Sequence, residues 1–198
     1  MEDIHKTFLF FEDDDTPHNR SLPMDLKAKF SKRIQMDDIH EITYWTQHND
    51  QGKEELYQLI FEENKTIANN ALWAMTYFTW LDYQWLYKKQ NELIDEVLIS
   101  KNATRSRLLL SLLHRQPMPN PPRVDFLNFC LDKCITLNDP PAIITLCLKL
   151  AYEMCRPIPE LLQEFQTILD LMDTSSLPPS VQTARKNTFK AIQKYKSL

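Results

Sequence analysis

Sixteen residues from Thr66 to Leu81, TIANNALWAMTYFTWL, carry no charge. The run is too short, and too rich in Asn and Thr, to span a bilayer. A stretch like this has to be covered by the rest of its own chain, which predicts the buried second helix of a helical hairpin. The supply of glycine narrows the fold further. Gly52 is the single glycine in 198 residues, whereas all-β folds and phosphate-cradling loops draw on several. The twelve prolines fall mostly in clusters, as punctuation between helices.

The remaining segments read as further helices. Residues 1–22 form an N-terminal arm, in which Thr7 to Phe11 reads as a short strand or an extended segment and Glu12 to Asp15 break it with like charges. Residues 23–198 read as one helical domain. Pro23 opens a helix to about Ile34 with Leu26, Phe30 and Ile34 on one stripe. Asp37 and Asp38 offer N-caps to a helix that turns Ile39, Ile42 and Trp45 inward. A helix over Gln51 to Glu62 follows, and Asn64 caps the uncharged one. Asp82 is placed to cap Tyr83 to Ile99, and Asn102 the helix to about Gln116. The connector Pro117 to Pro122 cannot continue a helix. Four more helices are predicted, near Arg123 to Leu137, Pro140 to Cys155, Ile158 to Met172 and Pro179 to Tyr195. Connections of a few residues force neighbours to pack antiparallel.

The second helix of each later pair repeats a pattern. The first reads Ile67-Ala68-x-x-Ala71-x-x-Ala74-Met75, and the second Thr104-Arg105-x-x-Leu108-x-x-Ser111-Leu112. The third reads Ile143-Ile144-x-x-Cys147-x-x-Leu150-Ala151, and the last Ala184-Arg185-x-x-Thr188-x-x-Ala191-Ile192. Starts at 67, 104, 143 and 184 are 37, 39 and 41 residues apart, a spacing that belongs to stacked helical repeats. The fold class expected is all-α: an α-solenoid of about five antiparallel pairs behind a short extended arm.

This pattern resembles the HEAT repeat, whose second helix carries V-R-x-x-A-x-x-A-L. Arg105 and Arg185 occupy that family's arginine position, while Ala68 and Ile144 depart from it, so the resemblance implies an interrupted polar ladder. Ala71-Leu72-Trp73-Ala74-Met75 is also similar to the third helix of an armadillo repeat. That family grips peptides with an Asn four residues after its Trp, and here the position holds Tyr77. A tetratricopeptide reading lacks its helix-packing glycine.

A net charge of −4 gives no general affinity for nucleic acid or anionic membrane. The N-terminal MEDIHKTFLFFEDDD lacks the basic region of a secretory signal, and four cysteines without a signal point to a reducing cytoplasm. Cys130, Cys134, Cys147 and Cys155 sit among apolar residues with no CxxC spacing, so they read as core thiols and not as zinc ligands. His40 and His48 flank Tyr44 without a metal-binding pattern. There is no G-x-S-x-G, HExxH, Walker or dinucleotide motif. No catalytic residue, metal or cofactor is therefore assigned, and the chain reads as a non-enzymatic scaffold for a protein or peptide.

The resemblance to HEAT repeats implies a concave groove lined by second helices. With Ile67, Ala68, Ala71, Ala74, Met75 and Phe78 inward, Asn70, Trp73 and Tyr77 lie on another flank. By the repeat offsets Asn70 aligns with Arg107, Trp73 with Leu110, Lys149 and Lys190, and Tyr77 with His114, Glu153 and Lys194. Such a groove is aromatic at its N-terminal end and largely basic at the other. It suits an aromatic anchor followed by acids, and the chain's own Phe8 to Asp15 has that character. The arm either occupies this groove or caps the first pair. The alternative function is nucleic-acid binding or DNA repair, because HEAT-like DNA glycosylases remove alkylated bases. Those enzymes place an Asp four residues after a Trp. Here Trp45, Trp73, Trp80 and Trp85 are followed at that step by Asn49, Tyr77, Gln84 and Lys89.

Overall fold

A computed structural model describes residues 24–47 and 49–196; the expected arm, with its short strand and its docking, lies outside them. The described residues contain no strand. The helices run α1 (Leu26–Phe30), α2 (Met36–Gln47), α3 (Asp50–Gln58) with a 3-10 turn at Leu59–Phe61, and α4 (Lys65–Met75). They continue with α5 (Trp80–Tyr87), α6 (Gln90–Ile99), α7 (Ala103–His114) and α8 (Val124–Thr136). The last three are α9 (Pro141–Cys155), α10 (Pro159–Leu171) and α11 (Pro179–Lys196).

Two layers result. In one, α4 packs on α7, α7 on α9 and α9 on α11. In the other, α6 meets α8 and α8 meets α10. Each member of the second layer also packs on its partner in the first, as α6 on α7, α8 on α9 and α10 on α11. This is the all-α, solenoid-like stack that the repeat spacing predicts. The repeat positions Ile67, Ala68, Ala71, Ala74 and Met75 are all buried, as are Leu108, Leu112, Ile143, Ile144, Cys147, Leu150 and Ala151. Small and aliphatic side chains there let adjacent helices approach closely.

The uncharged stretch is not one helix. α4 stops at Met75, and Thr79 starts α5 through a capping box. The Thr79 hydroxyl and backbone N–H both donate to the Asp82 carboxylate, at 2.7 and 3.0 Å. Asp82 is therefore the third residue of α5 and not the cap of the next helix. The helix expected over Tyr83 to Ile99 is likewise two, parted at Lys88 and Lys89. Neither residue is a helix breaker, so the parting is fixed from outside. Lys89 reaches Glu54 at 3.3 Å and lies over the Tyr57 ring, while the Gln90 amide donates to the Pro117 carbonyl at 3.0 Å.

Near the N-terminal end α1 is shorter than expected, yet Leu26, Phe30 and Ile34 are buried as its stripe requires. Asp37 and Asp38 lie inside the first turn of α2, where Asp38 accepts from the Gln35 N–H at 2.8 Å. Asn49, Asn64 and Asn102 cap α3, α4 and α7. Gly52 has a steric reason: a Cβ there would stand 2.6 Å from Cζ3 of Trp45. The missing side chain lets α2 lay its tryptophan across the first turn of α3.

Candidate partner-binding face

The layer formed by α4, α7, α9 and α11 carries the residues singled out by repeat register, and the structure gives them different situations. Tyr77 is 42% exposed and meets the edge of His40 from α2 at a ring separation of 6.3 Å. Trp73 is half-buried against the core and makes an edge contact with Tyr77 at 6.5 Å. Arg107, His114, Lys149, Lys190 and Lys194 are exposed. Glu153 is half-buried and pairs with Arg156 at 3.2 Å. His114 and Lys149 stand within electrostatic reach across α7 and α9: partial burial, then the positive charges of Lys149 and Arg115, hold the imidazole below its usual range.

Two of the expected residues have structural work instead. Leu110 is fully buried, because α7 packs between α4 and α9 and turns this side chain into the seam. The Asn70 carboxamide donates to the carbonyls of Phe30 and Lys32, at 2.9 and 3.1 Å. Those carbonyls lie at the C-terminal end of α1, where a helix leaves acceptors unsatisfied.

The two arginines of the repeat pattern also differ. Arg105 donates to the Ile60 carbonyl at 2.7 Å and pairs with Glu96, so it joins its own pair to the 3-10 turn of the preceding one. Arg185 donates to the Leu169 carbonyl at 2.6 Å and lies over the Phe189 ring, within its own pair. Both stand where the repeat pattern places them, and both bond to a backbone carbonyl of another helix.

A family model described as HEAT repeat domain matches residues 26–192. The chain belongs to the HEAT repeat domain family. No curated protein and no solved structure matches it. HEAT repeats are commonly protein-interaction scaffolds. In this HEAT chain no helix among the described residues is long and apolar enough to cross a membrane.

The chemistry of the buried groups is quiet. All four cysteines are free and buried. Burial first of all, and then the neighbouring Cys147 thiol, raises the Cys130 thiol. Burial raises Cys134 well above the usual thiol range and pushes Cys155 up to about 12. Thiols held protonated are poor nucleophiles and poor metal ligands. Among the described residues no three His, Cys, Asp or Glu side chains gather as a metal site. Asp82, the acid nearest in sequence to Trp80, is 2% exposed and holds Lys53 at 3.1 Å.

The sequence reading missed a second feature. The chain around α5 and the end of α7 enclose a cavity walled by Phe78, Trp80, Tyr83 and Tyr87. The signal was present in Thr79-Trp80-Leu81-Asp82, a capping-box pattern that separates α5 from α4.

Proposed function

We propose that this HEAT chain is a non-enzymatic scaffold that binds an extended segment of a protein partner along α4, α7, α9 and α11. The observation that carries the reading is the gradient along that layer. Trp73 stands on α4 and Tyr77 in the turn just after it, His114 and Arg107 on α7, Lys149 on α9, and Lys190 and Lys194 on α11. Because these helices abut in that order, an aromatic end passes into a cationic one. A complementary segment carries an aromatic or apolar anchor followed by acidic residues. Cations along a groove speed the encounter and select the charge of the partner more than they add affinity. Stacked repeats present the extended surface such a segment needs.

Photo-crosslinking tests the placement. A photoreactive phenylalanine analogue is introduced at Tyr77, Lys149 or Lys190, and in control proteins at the exposed Asn128 and Gln163 of the other layer. The reading expects one and the same partner polypeptide at all three face positions and not at the controls. Crosslinks at Asn128 or Gln163 as strong as those at the face overturn it. Steeply salt-dependent retention of single-stranded or duplex DNA would instead assign the cations to phosphates.

A further inference from the structure

Two buried glutamines lie close together and differ in one respect. Gln90 and Gln116 are each 6% exposed. The Gln90 amide donates to the Pro117 carbonyl at 3.0 Å. Neither the oxygen nor the nitrogen of the Gln116 carboxamide has a hydrogen-bond partner in the protein. A buried donor or acceptor left unmatched loses the hydration it had in the unfolded chain, and this side chain carries both. A leucine at this position would carry no such cost.

Gln116 lines the cavity beside α5, which has a volume of about 460 Å³. That is far more than one water needs and lies in the range of sites that hold small ligands. Its walls are flat and aromatic. Phe78 and Tyr83 are buried at the back, and Trp80 and Tyr87 stand 70% and 41% exposed at the mouth. Arg115 lies across the Tyr83 ring with its guanidinium carbon 5.6 Å from the centroid, and donates to the Thr76 carbonyl at 2.6 Å. Both partners are neutral, so neither offsets the charge.

These groups define a ligand. A carboxamide presents a donor and an acceptor side by side, and pairs with a group offering the same two in reverse, as the N–H and C=O of one residue in an extended chain do. Flat aromatic walls take a ring in offset or edge contact. The arginine asks for an anion, and its charge at the mouth disfavours a cationic occupant. Arg115 is the only cation lining the cavity among the described residues, which matches a single carboxylate better than a chain of phosphates.

We propose that this cavity is an anchor site for an aromatic residue followed by an acidic one in a partner peptide. The ring stacks between Trp80 and Tyr87, Gln116 pairs with the anchor residue's own N–H and C=O, and Arg115 faces the acid. The proposal rests on the reading that the chain binds a peptide, but not on which helices form the longer face.

The test is a titration of the full-length, isotope-labelled chain, followed through the Gln116 side-chain amide and Trp80 indole resonances. The probes are N-acetyl-Phe-Glu-amide, N-acetyl-Phe-Lys-amide and AMP. The expected result is saturable movement of both signals with Phe-Glu and several-fold weaker binding of Phe-Lys. Gln116→Leu should weaken Phe-Glu by roughly tenfold while leaving the melting temperature unchanged or higher, as expected when an unmatched polar group is replaced by an apolar one of similar shape. Trp80→Ala, at an exposed position, should weaken binding without unfolding the chain. Movement with AMP alone would make this a nucleotide site and overturn the proposal. So would no movement with any probe, which leaves a hydrated glutamine, or binding by Gln116→Leu equal to that of the parent. Crosslinks at Lys149 and Lys190 that persist after such a failure would leave the longer face standing.

Discussion

α4 and α9 are both second helices of HEAT pairs and bury one side almost completely, yet they are held by different means. Around α4 the fastening is polar and reaches for backbone carbonyls. Asn70 takes the end of α1, Arg115 takes Thr76 at the end of α4, and Arg105 takes Ile60 in the 3-10 turn. Beneath them the buried Lys53 bridges Asp50 and Asp82, at 3.0 and 3.1 Å, and so clamps α5 to α3. α9 instead lies among α7, α8, α10 and α11 and is held by Ile143, Ile144, Cys147, Leu148, Leu150, Ala151, Met154 and Cys155. The difference follows the regularity of the stack. Where an extra helix and a tightened turn interrupt the repeat, backbone groups are left without their usual partners, and long polar side chains satisfy them. Where pairs follow one another by short proline-led turns, apolar packing suffices.

This contrast can be broken by substitution, and the largest effect belongs to the apolar half. Phe126 is fully buried in α8 and stacks with Phe129 at 6.4 Å. Phe126→Ala should cost about 3–5 kcal/mol in chemical denaturation, through lost burial and the void it leaves. In the polar half, Lys53→Met removes the cation from beside an Asp82 that is 2% exposed. Stranding a buried carboxylate in this way costs about 3 kcal/mol, and Lys53→Met/Asp82→Leu together should recover most of it. A double variant as unstable as the single one would show that the pair is not what holds α5.

Arg105→Ala should cost about 2 kcal/mol, the scale of a charged hydrogen bond to a partly buried carbonyl. Arg185→Ala should cost less, because its single carbonyl bond lies within one pair. Equal losses would mean that the arginine position does the same work in every repeat. The smallest effect is a pH dependence at His114. Its folded-state pKa is held below the usual value near 6.5, so the unfolded chain takes up the proton first. Stability should be highest above that value and fall as pH drops through 6.5 towards the lowered pKa. His114→Gln should flatten that part of the profile measured by thermal melting.

The repeat itself was legible in the sequence, because burial follows i, i+3, i+4 spacing and the small residues mark close helix contacts. The asparagine caps at 49, 64 and 102 were legible at two of the three places, since Asn64 and Asn102 stand just ahead of helices whose apolar stripes are plain in the sequence. The break between α5 and α6 was not, because Lys88 and Lys89 are ordinary helix formers parted by contacts to Glu54, Tyr57 and Pro117 that lie far away in sequence. The end of α8 was legible to within a residue, but not the means by which it ends. Leu137 closes it in the left-handed region, at φ 56, where a glycine or asparagine would be expected. Its side chain packs against the core, which offsets the unfavourable backbone. On the candidate face, register named the exposed Tyr77, Arg107, His114, Lys149, Lys190 and Lys194, but a one-dimensional alignment does not see that the seam between α4 and α9 consumes Leu110. The anchor cavity needed α5 to be separate from α4, and with those two merged its walls are scattered over the chain.

Each pair of the stack is stabilised by the next, and Arg105 joins the preceding pair to α7. Stability in such an array is a sum of repeat and neighbour terms, so a lesion at one junction acts locally. Native-state hydrogen exchange of Arg105→Ala, compared helix by helix with the parent chain, tests this most directly. The expected result is faster exchange in α3, the 3-10 turn and α4, with α9 and α10 unchanged. An equal loss of protection across all helices, α9 and α10 included, would show a single cooperative core and contradict the account.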